Sequence, residues 1–376
     1  MDFSLNTEIN TKKPKNKKVK KEFMISKQSI ELKEEVKEKK EEIKTVPSLI
    51  FPKFEENQVS TKTFIILTNL KIDKAKIFDF LPITEYIIIP KKRGRKKKTP
   101  VIDYNKDIKD GSIISIESSC KTRGVSFKKK KKNDNKKIDY FRNSITVVMI
   151  IDSKKINFKI CGNGKFQMTG CKSDLQAEKC IYYIWNYIKD NKDLYYLIDF
   201  KDINNPNVKS NKENNDEKEE DEDEKQTEFM AIFIPSMRNI DFSLGFTLYR
   251  EKLDQYINNH TEYVSLLETS IGYTAVNIKV PHKHPITDLK LKKLVYDEKE
   301  NDWKNPTYVP YSVFLDTLKP KDVTRKLTQD RYHTFLVFHS GKCIMSTMCD
   351  QFGPEIYYEF LEMIRNSWKE YIERVL

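Results

Sequence analysis

Phe-Lys-Ile-Cys-Gly-Asn-Gly-Lys-Phe-Gln-Met-Thr-Gly, residues 158–170, is the stretch on which the fold turns. Ile156, Phe158 and Ile160 alternate with Asn157, Lys159 and Cys161, which makes one strand face apolar. Gly162-Asn163-Gly164 supplies residues that tolerate positive φ, as a tight turn requires. Phe166 and Met168 then resume the apolar face against Gln167 and Thr169, so the pattern predicts a β-hairpin. The chain states it again at FLVFHSGKCIMS, residues 335–346. Phe158 and Phe335, Gly164 and Gly341, and Lys165 and Lys342 are each 177 positions apart, with no gap between them.

The same order of elements extends outward from both hairpins. In the first half TFIILTNL (63–70) reads as a strand, and Asp73 caps a short helix stopped by Pro82. TEYIII (84–89) and ITVVMII (145–151) read as further strands. A helix follows from Ser173, with Gln176 completing a capping box and Ala177, Ile181, Ile184, Trp185 and Ile188 forming an apolar stripe. In the second half MAIFIPSM (230–237) restarts the order, followed by a helix near 249–259 and strands at EYVSLLET and TAVNIKVP. The last helix starts at Pro354, with Ile356, Phe360, Ile364, Trp368 and Ile372 as its stripe. The domain reading is a charged, disordered arm over 1–48, a first repeat over 49–200 with a basic insertion at 90–143, an acidic linker over 201–228, and a second repeat over 229–376 with an insertion at 282–331. The fold class expected is α+β: two tandem antiparallel sheets, each backed by helices on one face and free on the other.

With 33% charged residues and a net charge of +13, the chain suits a polyanionic partner. Six cysteines without a C-x-x-C pair read as reduced thiols. His282-Lys283-His284 has no cysteine or carboxylate at metal spacing, so neither a metal nor a cofactor is expected. None of the five histidines sits in a nucleophile or zinc motif, so an enzyme and a small-molecule substrate are not expected. No run of about 18 apolar residues and no signal-peptide region is present, so the expectation is a soluble chain that is not secreted.

Four local matches, in order, resemble the TATA-box-binding protein family. They are TVVMII (146–151), NGKFQMTGCKS (163–173), FLVFHSGK (335–342) and PEIYYEF (354–360). The Lys/Asn/Ile-rich composition is similar to the TATA-binding-like proteins of large DNA viruses. The resemblance implies a saddle that binds duplex DNA in the minor groove, with phenylalanine wedges kinking the duplex and basic residues on phosphates. It implies transcription initiation factors or RNA polymerase as further partners, and a nucleus or a cytoplasmic viral replication factory as location. Carried over residue by residue, Phe338 falls on a wedge position and Thr169 on a groove-contacting threonine. Lys165, Lys172 and Lys342 fall on phosphate-facing positions. Alternation adds Gln167, Ile344 and Ser346 to the open face, beside Asn157, Lys159, Thr334 and Leu336. The departures are Cys161 and Ser144 at the first-repeat wedge positions. Thr63 and Phe233 stand near the family's central asparagines, and Gly272 or Tyr273 near the second wedge partner. Loss of the first-repeat wedges implies weak bending and low TATA selectivity. The alternative is an architectural or protein-interaction scaffold that keeps the saddle without specific promoter recognition. Arg93-Gly94-Arg95, within PKKRGRKKKTP, reads equally as an AT-hook-like minor-groove element, a localisation signal, or a solvated phosphate-binding loop.

Overall fold

The computed structural model describes residues 50–88, 104–118, 121–127, 143–200, 228–267 and 274–375. A 3-10 turn (Phe54–Glu56) leads into β1 (Gln58–Thr68), β2 (Leu70–Ile72) and α1 (Lys74–Phe80). The Asp73 carboxylate caps α1 by accepting the backbone N–H of Ala75 and of Lys76, at 3.0 and 3.2 Å. Then come β3 (Ile113–Ser118), β4 (Lys121–Gly124), β5 (Ser144–Ile151), β6 (Lys154–Cys161) and β7 (Lys165–Cys171). α2 (Asp174–Ile188) and β8 (Tyr195–Leu197) complete the first half. The second half begins with β9 (Met230–Ser243), β10 (Phe246–Leu248), α3 (Arg250–His260), β11 (Val264–Leu266) and β12 (Ala275–Pro281). It continues with β13 (Lys290–Asp297), β14 (Asp302–Trp303), β15 (Thr307–Pro310), α4 (Ser312–Asp316) and α5 (Pro320–Thr328). β16 (Tyr332–Phe338), β17 (Lys342–Thr347), α6 (Gly353–Ser367) and β18 (Ile372–Val375) end it.

The chain is thus a mixed α/β protein built on one large antiparallel sheet. Its strand order is β11-β12-β16-β17-β9-β1-β7-β6-β5-β3-β4, with β13 attached to β9 and carrying β14 and β15. From β1 outward the order is β7, β6, β5; from β9 outward it is β17, β16, β12. Several backbone bonds occur once in each half. Thr68 donates to the carbonyl of Gly164, and Leu244 to that of Gly341. Ile72 donates to Gly162 and Leu248 to His339; Asp73 donates to Leu194 and Tyr249 to Tyr371. β2 pairs with β8 as β10 pairs with β18.

One sheet face is buried under helices. Phe64, Ile66, Phe158, Ile160, Phe166 and Met168 join Ala177, Ile181, Ile184 and Trp185 of α2 in one core. In the second half Phe335 stacks on Phe360 of α6 at 3.9 Å. The α2 start meets half of the capping-box expectation: the Ser173 hydroxyl accepts the Gln176 N–H at 3.3 Å, but Gln176 Oε1 accepts the N–H of Lys172, at 2.8 Å, rather than that of Ser173.

Four expectations are corrected. Residues 84–88 form no strand; the strand next to β5 is β3, inside the span assigned to the basic insertion. The reason is that Ile113, Ile114 and Ile116 supply apolar side chains to both faces, which the 84–88 stretch does not. Ile372 leaves the helical stripe, because α6 ends at Ser367 and Ile372 pairs with Leu248. Phe233, expected near a groove-facing asparagine position, points into the α2 core. The 282–331 insertion is ordered and contributes β13 to the sheet itself, through Lys292↔Phe233 to Val295↔Met230. The arm over 1–48, the linker over 201–227, Arg93, Arg95, Gly272 and Tyr273 lie outside the described residues.

Candidate nucleic-acid interface

Register fixes which side chains share the face opposite α2 and α6. Across the first half, Thr63, Thr169 and Asn157 form one row, and Ile65, Gln167 and Lys159 the next. Ser144 lies directly opposite Cys161. Across the second half, Lys279, Thr334 and Ser346 form one row, and Asn277, Leu336 and Ile344 another. Phe338 pairs with Ala275 at the outer corner. Thr169 and Gln167 are exposed, while Lys165, Phe338, Ile344 and Ser346 are half-buried. Lys342 is exposed at the start of β17. Lys172 lies off the sheet, in the turn after β7, where its backbone N–H serves the α2 cap.

The centre of this face is not free, and this overturns the expectation of an open underside. Ile65↔Ile234 and Leu67↔Ile232 are cross-strand pairs at the β1–β9 seam. They form a second apolar cluster with Leu289, Leu291, Tyr311, Phe314 and Leu315, all from the 282–331 segment. Val309, Val313, Leu318 and Val323 pack around it. Burying apolar surface at about 25 cal/mol per Å² is sufficient cause for the segment to settle there. At the outer edge of the first half Val148 and Ile150 are likewise covered, by Ile114, Ile108 and Tyr86. The uncovered first-half strip between the two covers is polar: Asn157, Gln167 and Thr169 are exposed, with Lys159 and Cys161 half-buried.

A signal for the covers was present in the sequence. Phe64-Ile65-Ile66-Leu67, Ala231-Ile232-Phe233-Ile234 and Val147-Val148-Met149-Ile150-Ile151 are continuous apolar runs. A strand wet on one face alternates, whereas a strand buried on both faces reads as an uninterrupted run. What covers the second face is a non-local matter that the run does not specify.

Two cavities flank the seam. One, of about 410 Å³, opens where β13 leaves β9 and β17 joins it, around Pro235 and Met237. Its ionic wall is largely paired internally, although the buried Nε of Arg238 has no hydrogen-bond partner. Lys62 bridges Asp174 and Asp350 at 2.7 and 2.8 Å, Arg238 meets Asp350 at 2.8 Å, and Lys292 meets Glu178 at 2.6 Å. Burial pulls the Lys62 ammonium down, but the two carboxylates outweigh it and hold its pKa above the ordinary value. The other cavity, of about 330 Å³, lies between the C-terminal end of α5 and the second-half rows, against Thr334 and Ser346.

At the root of the 282–331 segment, His282 stacks on His333 at 4.6 Å and on the edge of Phe352. His284 Nε2 lies 2.7 Å from Glu355. Among the described residues no group of three or more His, Cys, Asp or Glu is arranged to hold a metal ion. Among the same residues no helix is long and apolar enough to cross a membrane.

No family model matches the chain. Uncharacterized protein 335L of Invertebrate iridescent virus 6 is similar to it, 25% identical over 282 residues that cover 73% of each chain. Among solved structures, the Methanococcus jannaschii TBP is similar over 83% of this chain and 98% of its own, with 10% sequence identity and a TM-score of 0.37.

Proposed function

We propose that this chain is a saddle-derived DNA-associated scaffold of TATA-binding-like descent, whose groove-clasping surface has been closed by its own insertion. The four motif matches and the mirrored strand order with its repeated backbone bonds support a tandem duplication. The observation that carries the proposal is the cover at the seam: Tyr311, Phe314 and Leu315 occupy the surface against which a groove floor would lie. A minor-groove binder recovers the cost of unstacking base steps by wrapping bent DNA over its sheet. With the centre filled, and with Cys161 and Ser144 at one wedge pair, that gain is lost. Duplex contact then rests on phosphates and the +13 charge, which makes it sensitive to salt and indifferent to sequence. A place in transcription initiation, with initiation factors or polymerase docking on α2 and α6, follows from the resemblance and is part of the proposal.

Band shifts with AT-rich and GC-rich duplexes at two salt concentrations, paired with a DNA-bending assay, test it. The expected result is equal, salt-labile binding of both duplexes without a bend. AT-selective binding with a bend would overturn it. A second reading, groove binding after the cover moves aside, is favoured by the half-buried Leu336, Ile344 and Phe338 on the second-half face. It requires Phe338→Ala to abolish the bend.

A further inference from the structure

We propose that the cavity beneath the C-terminal end of α5 is a phosphate-binding site, held by Lys326 and Arg331 with the hydroxyls of Thr334 and Ser346. The inference deepens the reading above, since it locates one of the phosphate contacts that reading requires. The site is built from both the insertion and the sheet. Lys326 and Arg331 line the cavity from one side; Ser236, Thr334 and Ser346 line it from β9, β16 and β17. Two Arg331 guanidinium N–H groups donate to the carbonyls of Lys326 and Gln329, which pins that cation at the mouth. Three of its five N–H donors stay uncommitted by those bonds.

Charge makes the case for an anion. The positive charges of Arg331, Lys165 and Arg325 all bear on Lys326. Burial first, and then these neighbours, pull the Lys326 ammonium below its ordinary pKa. Opposing charge is limited. Asp330 lines the same cavity, and Asp322 is engaged with Arg325 at 3.0 Å. Like charges gathered at a half-buried spot are unfavourable until a counter-charge arrives. A phosphate brings up to two negative charges and several acceptor oxygens, which suits an ammonium, a guanidinium fork and two hydroxyls better than a single carboxylate does. A volume of about 330 Å³ admits a phosphate with part of its ester. That ester is either nucleic-acid backbone or a free phosphorylated molecule such as a nucleotide.

The test is titration of the full chain with inorganic phosphate, followed by phosphorus NMR or calorimetry, then with a blunt duplex. Saturable phosphate binding is expected. Lys326→Gln should weaken it about tenfold, as loss of one charge-assisted bond would, and Ser346→Ala about threefold, as loss of a neutral one would. Ser346 lies on β17, away from the α5 turn, so its variant guards against a mere local unfolding of that turn. Phosphate that competes with the duplex, together with a salt slope reduced by about 1 per lysine removed, assigns the site to backbone. Phosphate binding without competition assigns it to a free phosphorylated molecule. Absence of saturable phosphate binding, or binding unmoved by either substitution, overturns the site. A chain that binds phosphate here and no duplex at all overturns the function proposed above and leaves the site standing.

Discussion

His333 is 3% exposed, with Nδ1 2.9 Å from the Thr347 hydroxyl. Burial first, then the nearby rings of His282 and His284, push its pKa from 6.5 down to about 4, with Glu355 pulling the other way. His282 is lowered as well, chiefly by burial. His333 takes up its proton near pH 6.5 in the unfolded chain and only near 4 in the folded one. The native state is therefore at full advantage above about 6.5 and loses it progressively as pH falls towards 4. For His333 alone the loss is at most about 3 kcal/mol. His333→Gln should flatten this acid limb in urea titrations between pH 7 and 4; an unchanged limb would place its origin elsewhere. The two turn glycines act through sterics instead. Gly164 and Gly341 have φ of +73° and +71°, and an added Cβ would come within 2.2 Å of the Leu70 carbonyl and 1.9 Å of the Phe246 carbonyl. The backbones of β2 and β10 press on the hairpins at matching points, so neither turn has room to shift. Gly341→Ala should cost about 3 kcal/mol, read as a lowered urea midpoint.

At the scale of elements, the α4 cover is the feature that closes the sheet surface over the seam. Phe314 is 2% exposed within the seam cluster. Phe314→Ala should destabilise the protein by about 3 kcal/mol and raise binding of an apolar dye, because it opens the surface over Ile65 and Ile234. A dye signal equal to wild type would mean that α4 does not seal that surface. The helices and hairpins were legible in the sequence because their causes are local. Asp73 and Ser173 cap, Pro354 starts a helix, and alternation around Gly164 and Gly341 sets each strand's faces. The face assignment of Gln167, Thr169, Thr334 and Ser346 followed from the same alternation. The cover was not legible, because Tyr311, Phe314 and Leu315 carry the spacing of any half-buried turn of helix. Their target is a strand pair more than 60 residues away in sequence on one side and more than 200 on the other. The cavity at α5 was hidden for the same reason: Lys326 and Arg331 meet Thr334 and Ser346 only once the insertion folds back across the sheet.

At the scale of the molecule, the two halves share their interior. β1 and β9 pair at ten positions along the seam. Trp185 of the first half stacks on Phe229 of the second at 4.2 Å, and Tyr296 packs edge-on against it at 5.8 Å. Lys62 of β1 is tied to Asp350 beyond β17, and Lys292 of β13 to Glu178 of α2. Neither half can leave without exposing a full strand edge and opening both apolar clusters. These partly buried ion pairs alone would not hold such a joint, since desolvation offsets much of their attraction. The strand edges and the shared aromatic core would, as in an obligate interface. Insertion of a protease site between residues 201 and 227, followed by cleavage, should therefore yield two fragments that co-elute as one particle. Their tryptophan fluorescence and far-UV dichroism should lose native signal at the same urea concentration, because Trp185 reports on the seam while Trp368 reports on the second half. Fragments that separate on a sizing column, or two resolved transitions, would show the seam to be a contact between independent domains. In that case the cover over Ile65 and Leu67 would be free to leave with the second half, and the face beneath it would become available to DNA.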